Sequence, residues 1–145
     1  MKTAYRVLAY LIALEVLVQA AAIAFATFGL LSYISGGGVL DRATQRAHAY
    51  DGAVGFVVHS VNGQMVTPAI ALILLIVAFF AKIPGGAVWA TVVLVTVVVQ
   101  VLLGQFAHAV PTLGWVHGAL AIVLFAVAII AARRSETNAD VPLRA

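Results

Sequence analysis

Two histidines lie inside long apolar segments of the chain, where an ionisable side chain is costly and usually has a function. Counted from Gly52 and Pro111, His59 is seven residues and His117 six residues into its segment, or about 10 Å and about 9 Å at the helical rise. Neutral imidazole is a common metal ligand and holds the iron of many haems. Two histidines at matched depth predict one shared ligand, and a haem iron held from both sides is the best candidate.

Small residues flank both histidines. The same helix face carries Gly52, Gly55 and Gly63 around His59, and Gly114, Gly118 and Ala121 around His117. A flat macrocycle lying against a helix needs such neighbours, which predicts a b-type haem. Small residues also line ordinary interfaces between membrane helices. Helix packing and a proton relay therefore stay open as alternatives.

Two glutamines repeat the pattern of the histidines. Gln19 and Gln100 each lie about 20 Å from the start of their own segment at the helical rise. They are 81 residues apart and the histidines 58, and the difference is close to the extra length of the loop after the first segment. We therefore predict two hairpins related by pseudo-two-fold symmetry, with both glutamines beside the cofactor.

Four polar residues stand at the outer boundary of the segments. His48 and His108 either face water or line the rim of the same pocket, where they would bond haem propionates or form a second ligand pair. Arg42 and Arg46 suit propionates, because the guanidinium fork matches a carboxylate. The alternative for both arginines is contact with water and lipid headgroups.

Glu15 lies about 15 Å into the first segment, near the expected bilayer centre. The functional interpretations are a proton carrier or an acid at a quinone site. The structural interpretation is a protonated carboxyl bonded to a neighbour such as Gln19 or Thr96, because an isolated charge at that depth costs at least about 2.5 kcal/mol.

The composition indicates a membrane protein. The chain is 64% apolar and 9% charged, against about 25% charged in an ordinary globular domain. Four apolar stretches, at about 5–33, 52–81, 87–109 and 112–132, are each long enough to span a bilayer as a helix. We predict one domain, 1–145, that is an all-α integral membrane four-helix bundle with short loops and an amphipathic outer loop helix after Asp41. Without cysteine there is no disulfide, thiolate metal site or iron–sulfur cluster.

Basic residues predict the orientation. Six basic residues lie near the two ends of the chain or in the middle turn: Lys2, Arg6, Lys82, Arg133, Arg134 and Arg144. The other two, Arg42 and Arg46, lie in the first loop. The positive-inside rule then predicts that both termini are cytoplasmic. We expect the membrane to be the plasma membrane. The net charge of +3 is a topology signal, and no nucleic-acid partner is predicted.

Two segments resemble a known family. His59-Ser60-Val61-Asn62-Gly63 and the segment from Trp115 to Ala121 look like the second and fourth helices of one half of the haem A synthase fold, and like small actinobacterial four-helix proteins with His-x-x-x-Gly on helix two. The resemblance implies haem held between these histidines. The catalytic half of that family has a glutamate where this chain has Phe56, so the resemblance implies a haem-holding unit rather than a synthase. Ala13-Leu14-Glu15-Val16 is similar to the small multidrug-resistance transporters, which implies proton-coupled transport.

The predicted function is that of a small membrane cytochrome that relays electrons or holds haem b, because the loops are too short to form a substrate domain. Its expected partners are the lipid bilayer, a larger membrane complex or a second copy of the chain, and a quinone. The alternatives are a cofactor-free accessory subunit and a small transporter that uses Glu15.

Overall fold

Four long helices dominate the computed structural model, which describes residues 1–135; Arg144 lies outside this range. The first is α1 (Lys2–Ser35), and the short α2 (Arg42–Ala47) follows it. The second long helix consists of α3 (Ala53–Val61), a π-helical turn (Asn62–Val66) and α4 (Thr67–Ala81), and the third and fourth are α5 (Gly86–Ala107) and α6 (Leu113–Arg134). All four are long and apolar enough to cross a membrane. The prediction of an all-helical chain with four such helices is confirmed.

The π turn has a cause in the sequence. Pro68 has no N–H, so the carbonyl of Gln64 cannot receive the bond that a regular helix would give it. The chain widens just before the proline, and the N–H of Thr67 bonds the carbonyl of Asn62 five residues earlier. The predicted disturbance of this helix therefore takes the form of a π turn, a feature that is frequent at functional sites.

The half of the bundle that holds Lys2, Ala81, Gly86 and Arg134, called here the terminal half, is closely packed. Its fully buried side chains are Tyr5, Ile12, Leu74, Val93 and Val97, and alanines fill much of the rest. The hydroxyl of Tyr5 donates to the carbonyl of Gly86 at 3.0 Å. In this half α4 packs against α1 and α5, and α6 packs against α1 and α5 as well.

The other half, called here the loop half, is divided into two helix pairs. There α3 packs mainly against α1, and α5 packs against α6. Asp41 caps α2 as predicted, because its carboxylate accepts from the Thr44 N–H at 2.7 Å. α2 ends at His48, whose backbone is left-handed (φ 51°).

Glycines allow α1 and α3 to approach closely. A Cβ atom on Gly29, Gly52 or Gly55 would overlap or crowd a backbone carbonyl oxygen of the opposite segment. Helical spacing alone predicts Gly52 and Gly55 beside a macrocycle. In the structure both face α1, so their small size serves helix packing.

Candidate functional site

A cavity of about 1030 Å³ lies between the two helix pairs of the loop half. Most of its surface is apolar, and no aspartate, glutamate, lysine or arginine among residues 1–135 lines it. All four histidines of the chain line this one cavity: His48, His59, His108 and His117. The cavity is therefore the place in the described chain where imidazole chemistry is concentrated.

His59 and His117 meet inside the cavity, one from each helix pair. Their ring centroids are 6.1 Å apart and the ring planes are inclined at 69°. The juxtaposition expected from their matched depths is thus present in the structure.

His117 is held by Gln100 at two points. Its Nδ1 lies 3.0 Å from the backbone carbonyl oxygen of Gln100, and the side-chain amide of Gln100 donates to the carbonyl of His117 at 2.9 Å. Because a carbonyl oxygen only accepts, Nδ1 of His117 carries a proton. In the neutral ring Nε2 is then the nitrogen with a free lone pair.

Gln19 holds His59 in the same way on the other helix pair. The backbone carbonyl oxygen of Gln19 is 3.2 Å from His59 Nδ1. The Gln19 side-chain amide is oriented so that it satisfies His59 and Gly63 together. Its nitrogen donates to the His59 carbonyl at 2.9 Å, and its oxygen accepts from the Gly63 N–H at 2.7 Å. The amide nitrogen is also 2.7 Å from His59 Nδ1, so that ring nitrogen is engaged in either tautomer.

These contacts show the repeat that the spacing predicted. In both pairs a glutamine on one helix contacts Nδ1 and the backbone carbonyl of a histidine on the next. One difference remains: Oε1 of Gln100 is buried without a hydrogen-bond partner, whereas Gln19 bridges a carbonyl and an N–H that are four residues apart. The second member of that bridged pair, Gly63, lies within the π turn.

Neither Nε2 atom has a hydrogen-bond partner within residues 1–135. A histidine that ligates a metal through one nitrogen usually donates its other N–H to a carbonyl or carboxylate, which fixes the ring. The His117–Gln100 arrangement has this form. Among the described residues no group of three or more histidine, cysteine or acidic side chains converges, so the protein offers two ligands at this point.

The predicted small neighbours separate into two groups. Gly63, Gly118 and Ala121 line the cavity, whereas Gly55 and Gly114 do not. Sequence reasoning missed Gly104 on α5, where a Cβ would lie 3.1 Å from Cε1 of His117. No spacing signal identifies it, because it faces its histidine from a different helix.

Polar side chains that sequence reasoning did not assign to the site line the edge between α3 and α5. The Gln105 amide donates to Gln64 Oε1 at 2.8 Å, and the Gln64 amide donates to Ser60 Oγ at 2.9 Å. All three residues line the cavity, and their bonds tie the two helix pairs together along this edge.

The loop end of the cavity is lined by Gln45, His48, Tyr50 and His108. Arg42 and Arg46 do not line it. The structure therefore brings the two rim histidines, but not the two arginines, to the cavity.

Glu15 has a different partner from those expected. Its Oε2 accepts from the Asn62 amide at 3.2 Å, while Thr96 bonds the Val92 carbonyl of its own helix. Glu15 does not line the cavity. It ties α1 to the first residue of the π turn, one helical turn from Gln19.

Comparison of the chain with protein-family models, with curated proteins and with solved structures gives no significant match.

Proposed function

We propose that this chain is a multi-pass protein of the plasma membrane that binds one b-type haem between His59 and His117. The observation that carries the proposal is the pair of imidazoles, one from each helix pair, 6.1 Å apart between ring centroids. Two imidazoles bound through Nε2 to one metal at about 2.0–2.1 Å have centroids about 6 Å apart. The pair has this separation within an apolar cavity.

The number of ligands favours haem over a bare metal ion. A structural zinc site uses about four protein ligands, and only two imidazoles meet here. A haem supplies four nitrogens of its own and needs axial ligands alone. The unpaired Nε2 atoms and the engaged Nδ1 atoms fit that need.

The chemistry of the site favours one-electron exchange or storage of the cofactor. A haem held by His59 and His117 would supply electron transfer rather than oxygen activation. The protein would contribute ligand orientation through Gln19 and Gln100, and an apolar surrounding. We propose a unit that relays electrons or holds haem, with a quinone, a larger membrane complex or a second copy of the chain as its partner.

The absorbance spectrum of the purified protein tests the proposal. We expect a red protein with a split low-spin spectrum on reduction, which His59→Ala and His117→Ala each abolish. Arg46→Ala is the control, because Arg46 does not line the cavity, and it should retain the low-spin spectrum. A protein that stays colourless after haem supplementation would refute the proposal and support a cofactor-free accessory subunit.

A separate measurement tests the alternative that the protein is a transporter. Proton-coupled cation flux in liposomes that disappears in Glu15→Gln would support it. Because Glu15 contacts Asn62 and does not line the cavity, we expect no such flux.

The proposed topology has a simple test, because the chain contains no cysteine. Single cysteines at the exposed positions Ala43, in α2, and Pro84, in the turn before α5, should label from opposite sides of the membrane. Labelling of Ala43→Cys alone by an impermeant reagent on intact cells supports cytoplasmic termini. Labelling of Pro84→Cys alone would invert the topology.

A further inference from the structure

The side chains of two histidines at the loop end of the cavity make no hydrogen bonds with other described residues. His48 and His108 both line the cavity, and neither ring has a hydrogen-bond partner among residues 1–135. The other polar groups of the lining are largely engaged: Gln19 and Gln100 hold the inner histidines, and Ser60, Gln64 and Gln105 bond one another. Among the described residues, the unused donors of the lining are these two imidazoles with Gln45 and Tyr50 at the loop end, and the Thr67 hydroxyl, which is buried without a partner away from that end.

The backbone of His48 is that of a common helix ending. His48 is the C-terminal cap of α2, with left-handed angles of φ 51° and ψ 41°, and Lys82 ends α4 in the same conformation. Glycine is therefore the substitution that removes the imidazole from the cavity lining and preserves this ending.

The charge distribution indicates what these imidazoles bind. Within the described part of the chain no lysine or arginine lines the cavity, so an anionic group inside it would have no formal positive charge from these residues beside it. Carboxylates would therefore lie at the exposed loop end, where imidazole N–H groups can donate to them. A haem held between His59 and His117 has two such carboxylates on one edge of its ring.

We propose that His48 and His108 bind the carboxylate edge of the macrocycle and set its orientation, and that Arg42 and Arg46 do not. This inference rests on the proposed function. His48 and His108 would then favour the binding of a macrocycle with free carboxylates over the binding of the same macrocycle without them.

The test compares haem with haem dimethyl ester, which has the same iron and ring but no carboxylates. Binding of each to the full chain in detergent is followed by the low-spin absorbance. We expect the wild-type protein to prefer haem. His48→Gly removes the imidazole while glycine suits the left-handed backbone. This variant and His108→Ala should each reduce the preference about tenfold, as expected for loss of one hydrogen bond to a charged group, and the double variant should bind both molecules equally.

The matched control is the double variant Arg42→Ala, Arg46→Ala, whose preference should equal that of the wild type. Binding of the ester is an internal check that each variant is folded. Loss of the preference in the arginine variant, or its persistence in the double histidine variant, overturns the inference while leaving the low-spin spectrum intact. Absence of that spectrum with both molecules in the wild-type protein overturns the proposed function itself.

Discussion

Gly55 and Gly63 lie four residues before and four residues after His59 on the same helix face, yet the structure gives them different surroundings. A Cβ on Gly55 would overlap the carbonyl oxygen of Ala22 and lie 3.1 Å from the Cβ of Ala26. A Cβ on Gly63 would meet the Gln19 amide at 3.6 Å, an ordinary contact. We therefore predict that Gly55→Ala is destabilising and that Gly63→Ala is tolerated by the cofactor-free protein.

The size of the effect follows from these distances. Carbon atoms pack at about 3.5–4.0 Å, so relief of the Ala26 contact alone requires α3 to move from α1 by at least about 0.4 Å. The same movement lengthens the 3.2 Å contact between His59 Nδ1 and the Gln19 carbonyl beyond the usual range of about 2.7–3.2 Å. Over-packing of this kind costs about 1–3 kcal/mol, and the interhelical hydrogen bond adds about 0.6 kcal/mol in a membrane protein.

The assay is unfolding of the cofactor-free protein in SDS, followed by helical circular dichroism, for the wild type and the two variants. We expect Gly55→Ala to lower the free energy of unfolding by about 1.6–3.6 kcal/mol, the sum of the two contributions, and Gly63→Ala to leave it nearly unchanged. If both glycines instead serve only as a flat surface for a cofactor, the two variants will be equally stable without it and equally impaired in binding it. That result would refute the reasoning.

Three further predictions follow from single contacts. Glu15→Gln should preserve the fold and the spectrum, because an amide oxygen can accept from Asn62 as the carboxyl does at 3.2 Å; loss of folding on circular dichroism would reveal an unrecognised cation or proton site. Gly118→Ala should leave the cofactor-free protein unchanged, since its Cβ meets nothing within 4 Å, but should weaken haem binding because the position lines the cavity; equal affinity in a titration would show that the ring does not lie there. Hydrogen bonds from the Thr44 N–H lower the pKa of Asp41. A carboxyl with a lowered folded-state pKa stabilises above its unfolded pKa of about 3.9 and loses this effect as pH falls through its folded-state pKa. The protection factor of the Thr44 amide, which is its exchange rate relative to an unstructured peptide at the same pH, should therefore fall only in acid, and a fall between pH 5 and 7 would contradict the cap.

The long helices were predictable because their physical cause is local. An apolar stretch of about 20 residues satisfies its own backbone only as a helix in lipid, and glycine, proline or charge marks each end. The predicted stretch 87–109 corresponds to α5 (Gly86–Ala107), and 112–132 to α6 (Leu113–Arg134). Pro68 likewise predicted a disturbance within the second helix, and the π turn precedes it.

The functions of individual small and polar residues were not predictable in this way. Helical spacing places Gly55 and Gly63 on one face with His59, but it does not say whether that face meets another helix or a cavity. Gly104 faces His117 from α5, and Asn62 meets Glu15 from 47 residues away along the chain. Such contacts depend on how the helices are arranged around each other.

The sequence by itself determined four apolar helices, two histidines at equal depth and two glutamines in a matching repeat, because composition and spacing act along the chain. Only the tertiary structure decided that α3 packs mainly on α1 and leaves a cavity against α5 and α6. It also decided that both histidines and both rim imidazoles line that cavity, while Arg42 and Arg46 do not. The physical reason is that the absence of a side chain at Gly29, Gly52 and Gly55 lets two segments that are distant in sequence approach each other closely. No local sequence pattern records which segments meet.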